Sequence, residues 1–304
     1  MNIKIAKPIR FLVIGLLSFC VVKKFCESRT DKFTLESVTP KRAFNPEFEV
    51  GVADKYEMQK ILTQPFTYLG YGAQAFIFES ADKEYVLKLL KQRIYTTPLW
   101  HEIPIPFLDK YKKKLKFHRE DKLHRDFSSY KLAYEIIPDL TGVVLVHLNP
   151  SSWLKSKIKI QDKLGIWHHI DADNMDFILQ KKAELAHEKI VRLMKSNDII
   201  GAKNTITTIL SFIEKRCSLG FMDRDSSIDT NCGFLGDHMI KIDIGRISID
   251  ANFKNPKTKI EEIIKITLPF QLWIRQRFPE LEQHLVQTRI KMIELIKKAS
   301  DYQP

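Results

Sequence analysis

Apolar and polar positions alternate over short distances in residues 66–90, which read FTYLGYGAQAFIFESADKEYVLKLL. Alternation with a period of two, rich in β-branched and aromatic residues, is typical of strands, and glycines or short polar runs mark the turns between them. The segment therefore predicts three consecutive short strands. No helical pattern follows the glycines, which excludes a dinucleotide-binding turn or a Walker phosphate loop.

Most of the chain after residue 118 has apolar residues at the intervals of three and four that are typical of helices. The predicted helices are residues 118–137, 184–195, 201–217 and 257–267. The predicted strands are residues 142–148, 157–169 and 176–181. We expect a C-terminal stripe to pack in the core; its members are Leu281, Leu285, Met292, Leu295 and Ile296.

The N-terminal region has a different pattern. Residues 11–22 carry no charge and are flanked by basic residues. This run is shorter than the roughly 17–25 residues of a membrane-spanning helix and within the roughly 7–15 residues of a signal-peptide core. We expect residues 1–26 to be a membrane anchor or a cleaved signal, or else an apolar tail on a soluble chain, and we expect membrane association. Residues 27–65 are polar and contain three prolines, which predicts a linker.

The amino-acid composition adds one point to these expectations, which is the net charge of the chain. The 304 residues include 49 Lys and Arg against 37 Asp and Glu, a formal net charge of +12. Such a balance favours anionic partners such as nucleotides, nucleic acids or lipid headgroups. The basic residues are spread through the chain and no nucleic-acid module is recognisable, so we expect no nucleic-acid partner.

An acidic segment near the C-terminus carries the strongest chemical signal. Residues 220–247 read GFMDRDSSIDTNCGFLGDHMIKIDIGRI. Residues 232–235 and 239–242 predict two strands joined by a tight turn at Gly236-Asp237. Asp243 follows them among isoleucines, where an unpaired buried carboxylate would cost several kcal/mol unless it met a cation.

Together, the glycine-containing strands and the acidic segment resemble the protein-kinase-like superfamily. Gly70, Gly72 and Ile77 match its glycine-rich loop, with Ala75 at the third glycine, and Lys88 lies on the third strand. Asp223-Arg224-Asp225 stands at the H-R-D motif, Asn231 at the asparagine that follows it, and Asp243-Ile244-Gly245 at D-F-G. The chain also resembles membrane-tethered kinase-like proteins of chlamydia-type bacteria.

This resemblance implies two cofactors, ATP and Mg²⁺, and a role for each matched residue. Lys88 and Asp225 would be catalytic, and Asn231 and Asp243 would bind magnesium. Gly70, Gly72 and Lys88 would bind the nucleotide, and backbone groups of residues 180–183 would meet the adenine. A helical carboxylate would hold Lys88. The candidates for that carboxylate are Glu120, Asp126 and Glu135, and counting back from the next strand favours Asp126.

The chain departs from the family pattern in ways that concern activity. Asp225 and Asn231 are six positions apart, where the motif has five, and Asp223 replaces the usual histidine. The catalytic base is therefore open between Asp225 and, less favoured, Asp223 or Asp229. No A-P-E motif follows Asp243, which implies a short activation segment and a protein nearer to small-molecule kinases or degenerate kinase-like proteins than to regulated protein kinases.

These observations predict an α+β, two-lobed, protein-kinase-like fold. Its N-lobe, residues 66–183, would be an antiparallel sheet with one helix, and its small C-lobe, residues 184–300, would be mainly helical. The expected function is an atypical ATP- and Mg²⁺-dependent phosphotransferase of unknown acceptor.

Two alternative functions stay open. The departures from the motif also fit an inactive pseudokinase, a membrane-tethered module that binds a protein partner. A glycosyltransferase is the other alternative, because Asp223-Arg224-Asp225 and Asp171-Ala172-Asp173 both match the D-x-D pattern that holds a metal and a nucleotide sugar. That alternative leaves the Lys88 strand unexplained.

Overall fold

A computed structural model describes residues 6–98, 101, 103–104 and 106–301, so residues 1–5 of the predicted anchor lie outside the described residues. The fold mixes helices and strands, as predicted. The helices are α1 (Ala6–Thr30), α2 (Leu35–Val38), α3 (Lys55–Leu62), α4 (Asp109–Glu135), α5 (Pro138–Thr141), α6 (Ala186–Lys195), α7 (Ile199–Ser218), α8 (Ile228–Asn231), α9 (Pro256–Arg277) and α10 (Pro279–Asp301). The strands are β1 (Phe66–Tyr71), β2 (Ala75–Ser80), β3 (Tyr85–Leu90), β4 (Val143–His147), β5 (Lys157–Gln161), β6 (Trp167–Asp171), β7 (Phe177–Lys181), β8 (Glu184–Leu185), β9 (Phe221–Asp223), β10 (Cys232–Leu235), β11 (His238–Lys241) and β12 (Ile247–Ile249).

The chain forms two compact units, which divide it differently from the predicted lobes. One unit contains residues 1–116 and 147–177, and the other contains residues 117–146 and 178–304. The helix predicted at 118–137 therefore belongs with the C-terminal residues. That helix, α4, begins at Asp109, so the lysine-rich residues 110–116 form its first turns.

The first unit is built on a mixed sheet. Its strands follow the order β3-β2-β1-β5-β6, and all neighbours are antiparallel except β1 and β5. The three strands predicted within residues 66–90 are confirmed. The single strand predicted at 157–169 is instead the hairpin of β5 and β6, whose turn contains Gly165 at φ 83°. A positive φ at glycine allows this tight reversal.

Residues 27–65 are not an unstructured linker, because much of this segment packs on the first unit. The Phe33 ring is buried, with its centroid 5.1 Å from that of Phe76 and 5.7 Å from that of Phe78. Arg42 forms an ion pair with the buried carboxylate of Asp176. The prediction failed because these contacts join residues far apart in sequence. Apolar burial of this kind fixes a segment that has no periodicity of its own.

The second unit is mainly helical, and the helices predicted along it are present. Helices α7 and α9 extend beyond the predicted bounds, whereas α6 begins two residues later than predicted, because residues 184–185 form β8. Two small sheets accompany them, with the strand orders β11-β10-β8 and β12-β9. In α10, Leu281, Leu285 and Ile296 are buried as expected, but Leu295 is 60% exposed and does not join the core. The Gly236-Asp237 turn between β10 and β11 is confirmed, with Gly236 at φ 60°.

Helix α1 contains the apolar N-terminal run. Within the part of the chain that the structure describes, no helix has both the length and the hydropathy needed to cross a membrane. Membrane association through residues 1–26 stays a prediction.

Removing the Phe33 ring tests whether residues 27–65 belong to the folded first unit. We expect Phe33→Ala to lower the free energy of unfolding by about 3–5 kcal/mol, because it leaves a cavity among buried rings. The matched control is Phe44→Ala in the same segment, where the side chain is 54% exposed and the change should be within about 0.5 kcal/mol. Denaturant unfolding of both variants measures this difference. Equal effects would contradict the packing described here.

Candidate functional site

The acidic loop of the second unit begins at the end of β9 and closes on α8. Asp223 is the last residue of β9, and Asn231 is the last residue of α8. The single turn of α8 lies within the stretch from Asp225 to Asn231, whose length differs from that of the family motif.

Lys241, the last residue of β11, lies buried beneath this loop. Its Nζ is 2.7 Å from Oδ2 of the equally buried Asp223, and it donates a hydrogen bond to the carbonyl oxygen of Asp225. Oδ1 of Asp223 also accepts from the backbone N–H of Asp225, at 2.9 Å. A buried ammonium is tolerable only with such partners, because burial removes its hydration.

These contacts separate the three candidate bases. Asp223 is committed to Lys241, and Asp229 is an exposed residue whose carboxylate accepts from Ser227. That hydrogen bond lowers the pKa of Asp229. Asp225 has a half-buried side chain, and its Oδ2 lies 3.9 Å from the exposed guanidinium of Arg246. The geometry favours Asp225 as the group that could accept a proton.

Asn231 helps to fix the backbone of the same loop. Its Nδ2 donates to the carbonyl oxygen of Asp225 at 3.0 Å, so that oxygen receives hydrogen bonds from both Asn231 and Lys241. Its own carbonyl oxygen accepts from the N–H of Ile242 at 2.8 Å. The side-chain oxygen of Asn231 accepts from the Thr230 hydroxyl at 3.1 Å, and its second lone pair is available to a metal ion.

Asp243 lies in a turn that helix α4 holds in place. Its Oδ1 accepts from the N–H of Gly245 at 3.1 Å. The buried hydroxyl of Ser129 donates to the carbonyl oxygen of Ile244 and accepts from the N–H of Ile247 at 2.8 Å. Among the described residues, Oδ2 of Asp243 has no hydrogen bond or ion pair. Sequence reasoning missed Ser129, whose only signal is a small polar residue on the apolar side of a helix.

Metal binding would require the side chains just described. Among the residues that the structure describes, no three His, Cys, Asp or Glu side chains converge as a ligand cluster. Mg²⁺ usually takes one or two protein carboxylates and completes its shell with water and substrate phosphates. Asn231 and Asp243 could therefore hold it with a bound nucleotide.

The predicted glycine loop lies in the first unit, at the turn between β1 and β2. Gly70 pairs with Ile77 at a bulge, and the N–H of Gly72 donates to the carbonyl oxygen of Ala75 at 2.9 Å. A Cβ atom built on Gly70 or Gly72 would meet none of the described residues within 4 Å. Packing among those residues therefore does not explain why these positions are glycine.

A second lysine, which sequence reasoning missed, holds this loop. Lys91 is buried, and its Nζ donates to the carbonyl oxygen of Gly72 at 2.6 Å. The same ammonium lies 4.7 Å from the ring centroid of Tyr71 and 4.5 Å from that of Phe76, where cation–π attraction stabilises it. Burial, together with the nearby positive charge of Arg93, lowers the pKa of Lys91 to about 8.

The remaining predicted site residues are placed in the separate units. Lys88 is buried on β3 of the first unit, opposite Ile77 of β2. Asp126 lies on α4 of the second unit with Lys122 Nζ 2.9 Å from its Oδ2. Of the three candidate partners for Lys88, only Asp126 is buried, whereas Glu120 and Glu135 are exposed.

The strand proposed to meet adenine has its own internal partners. Gln180 is buried, and its Nε2 donates to the carbonyl oxygens of Thr141 at 2.6 Å and Lys241 at 3.1 Å. The N–H of Lys181 donates to the carbonyl oxygen of Gly142. The contacts of Gln180 concern its side chain, and among the backbone groups predicted to contact adenine the N–H of Lys181 is already bonded within the second unit.

Both D-x-D matches have structural roles. Asp173 accepts from Ser151 and from the N–H groups of Leu154 and Lys155, and these hydrogen bonds outweigh burial to lower its pKa. Asp171 accepts from the N–H of Asp173 at the start of a 3₁₀ turn. With Asp223 paired to Lys241, neither motif leaves two carboxylates available for a metal and a nucleotide sugar.

The ion pair beneath the acidic loop can be tested by removing its cation. We expect Lys241→Met to lower the free energy of unfolding by about 3–5 kcal/mol, because it leaves the Asp223 carboxylate buried without a partner. Lys265→Met is the control: Lys265 also pairs with a buried carboxylate, that of Glu262, but its side chain is 68% exposed. Its loss should cost less than about 1 kcal/mol in the same denaturant titration. A similar small loss in both variants would contradict the role given to Lys241.

The lowered pKa of Lys91 predicts a pH dependence of stability. The pKa is about 8 in the folded chain and about 10.4 in an unfolded one, so the unfolded chain binds more protons between these values. The free energy of unfolding therefore gains a contribution that rises with pH across this window. We expect the stability of the wild type relative to Lys91→Met to increase from pH 8 to pH 10. A difference that is independent of pH would show that Lys91 titrates normally.

Comparisons with known proteins give only weak likenesses. No family model and no curated protein matches the chain. Among solved structures, the bifunctional kinase-methyltransferase WbdD matches with a TM-score of 0.35 and 13% identity over 74% of this chain and 43% of its own. WbdD bound to a kinase inhibitor matches with a TM-score of 0.29 and 14% identity, over 76% and 45% respectively.

The complex of Rv3197 with erythromycin, from Mycobacterium tuberculosis, matches with a TM-score of 0.29 and 12% identity over 87% of this chain and 75% of that one. The chain spans less than half the length of the WbdD chains that it matches. All three TM-scores are below 0.5, too low for these likenesses to carry an argument about family or activity.

Proposed function

We propose that this chain is an atypical, kinase-like phosphotransferase that uses ATP and Mg²⁺. One observation carries the proposal: the backbones around Asp225 and Asp243 are fixed by buried hydrogen bonds, while both carboxylates stay half-buried and accessible. A two-lobed kinase-like arrangement is the fold that this function would require.

Phosphoryl transfer needs a fixed backbone that presents accessible carboxylates. Catalysis of this reaction comes almost entirely from positioning and from neutralising charge, so the groups must be held before the substrate arrives. Buried hydrogen bonds between backbone groups and the side chains of Lys241 and Ser129 supply that rigidity. A loop whose acids merely faced solvent or capped a helix would not need buried anchors of this kind.

Asp243 and Asn231 are suited to hold Mg²⁺. Oδ2 of Asp243 has no cation among the described residues, although the side chain is half-buried beside the buried Ile244. An ion there would remove the electrostatic cost of this carboxylate. Bound ATP and Mg²⁺ would supply the phosphoryl group and neutralise its charge.

The other predicted site residues would act on the transferred phosphoryl group or on its acceptor. Asp225 would orient the acceptor hydroxyl and take its proton. Lys88 would contribute positive charge to the phosphates, and Asp126 would orient Lys88. Gly70 and Gly72 leave open space beside the hairpin, which would allow phosphates to approach the backbone closely. Since the N–H and carbonyl of Gly72 are already bonded, its role would be to leave room.

Nucleotide-dependent stabilisation tests the proposal. At ten times the dissociation constant, ATP with Mg²⁺ should raise the melting temperature by about 2–4 °C, because binding only the folded state stabilises it. We expect the rise to need Mg²⁺ and to be lost in Asp243→Asn, and to shrink at least severalfold in Gly72→Ala. Neither variant should lower the melting temperature without nucleotide by more than a degree or two. Thermal denaturation with each ligand measures this.

The control is Asp237→Asn, which removes an acid from the exposed turn of the neighbouring hairpin and should keep the full shift. Loss of the thermal shift in both Asp243→Asn and Gly72→Ala would indicate that residues of both units contribute to binding the same nucleotide. No shift at millimolar ATP in the wild type would contradict the enzyme proposal and favour a pseudokinase that acts as a binding module.

A further inference from the structure

The second unit contains a cavity lined by two arginines that have no part in the proposed roles. It has a volume of about 880 Å³ and lies between one side of α4 and the residues that follow Asp243. Small-molecule sites usually measure roughly 300–1,000 Å³. The α4 side includes Phe117, His124 and Arg125, and the opposite side includes Arg224 and Arg246.

Arg224 and Arg246 lie opposite each other at the ends of two paired strands, because Arg224 directly follows β9 and Arg246 directly precedes β12. The N–H of Arg224 donates to the carbonyl oxygen of Arg246 at 3.2 Å, next to the pairing of Asp223 with Ile247. Both side chains are exposed. Like charges opposite each other on paired strands are destabilising. An anion held by both guanidinium groups would remove that repulsion.

The cavity is also lined by the acids Glu120, Asp121 and Asp126. Asp121 lies 3.0 Å from Arg125, and Asp126 lies 2.9 Å from Lys122, so two of the carboxylates already have cations of their own on α4. Arg224 has no ion pair among the described residues, and the partner of Arg246 is Asp225 at 3.9 Å.

A further polar group in the wall lacks a partner. The hydroxyl oxygen of Ser248 on β12 is buried and makes no hydrogen bond within the described part of the chain. Buried polar atoms are nearly always satisfied, so such an orphan indicates a partner outside the described residues, such as a bound water. Ser248 is among the residues that line the cavity with Arg224 and Arg246, although its hydroxyl oxygen is not itself exposed.

We propose that this cavity binds the phosphate or carboxylate group of a small acceptor whose hydroxyl then lies at Asp225. This inference rests on the proposed phosphotransferase function. Guanidinium groups bind such anions through paired, charge-assisted hydrogen bonds, and the contact between Arg246 and Asp225 joins the anion site to the base. The acceptor class is therefore a small hydroxyl compound with an anionic group.

The transfer step balances with ATP as the donor. The acceptor oxygen forms a bond to the γ-phosphorus, the bond from that phosphorus to the departing ADP oxygen breaks, and the hydroxyl proton passes to Asp225. Arg224 and Arg246 take no part in bond changes. They are positioning residues, so their loss should act mainly on acceptor binding.

Direct binding of defined probes tests the anion site without nucleotide. Calorimetry on the full chain should detect glycerol 3-phosphate or glycerate, and inorganic phosphate more weakly, but not glycerol at the same concentration. Arg224→Gln and Arg246→Gln should each raise the dissociation constant at least tenfold. The control Arg277→Gln, an exposed arginine at the end of α9, should leave it unchanged. Because phosphate could also enter a nucleotide site, Asp243→Asn and Gly72→Ala must keep the binding.

The outcomes separate this inference from the proposed function. An ATP-dependent thermal shift without binding of either anionic probe overturns the acceptor class and leaves the phosphotransferase proposal standing. If anion binding needs Arg224 and Arg246 but ATP does not stabilise the chain, both the acceptor role of the cavity and the phosphotransferase proposal are overturned. Binding of a phosphopeptide but not of glycerol 3-phosphate overturns the small-molecule assignment.

Discussion

Lys241 is a charged side chain buried beneath a loop of acids, and the order of that loop depends on it. Removing an ammonium from water costs several kcal/mol unless its donors meet acceptors in the interior. Here the acceptors are the Asp223 carboxylate and the carbonyl oxygen of Asp225. Since Asn231 donates to the same carbonyl, the backbone at Asp225 is held from two sides. Its side chain can then stay accessible without the loop becoming mobile.

The Asp243 turn is held by a different device with the same effect. Ser129 donates to one backbone group of this turn and accepts from another, so a single hydroxyl on α4 fixes both ends of Ile244–Ile247. Any displacement of α4 would therefore be transmitted to Asp243. In both loops a buried polar contact fixes the main chain and leaves the carboxylate half-buried and accessible. Acidic groups held in this way are candidates for a binding site.

Patterns over a few neighbouring residues correctly predicted several helices and strands. The three strands of residues 66–90 and the β10–β11 hairpin follow from alternation and turn residues, and α7 and α9 follow from helical spacing. Gly165 carried a turn signal inside the stretch predicted as one strand.

Contacts between distant residues were beyond this reasoning. The burial of Phe33 against Phe76 and Phe78 joins residues more than forty positions apart. The pairing of Lys241 with Asp223 and the role of Ser129 depend likewise on which elements meet. The acidic motif indicated the candidate site residues, but the groups that hold their backbone carry no pattern along the chain.

Individual glycines differ in whether packing inside the chain explains them. At Gly233 an added Cβ would come within 3.0 Å of Ile242, Ala183 and the backbone of Glu184, so internal packing explains the residue. At Gly70 and Gly72 the same atom would meet open space, and φ is not in the left-handed region. If the chain alone decided these positions, alanine would fit and would restrict the unfolded state more. Packing among the described residues does not require these glycines, and Lys91 fixes the carbonyl of Gly72. Open space beside a fixed backbone is what the proposed close approach of a phosphate would need.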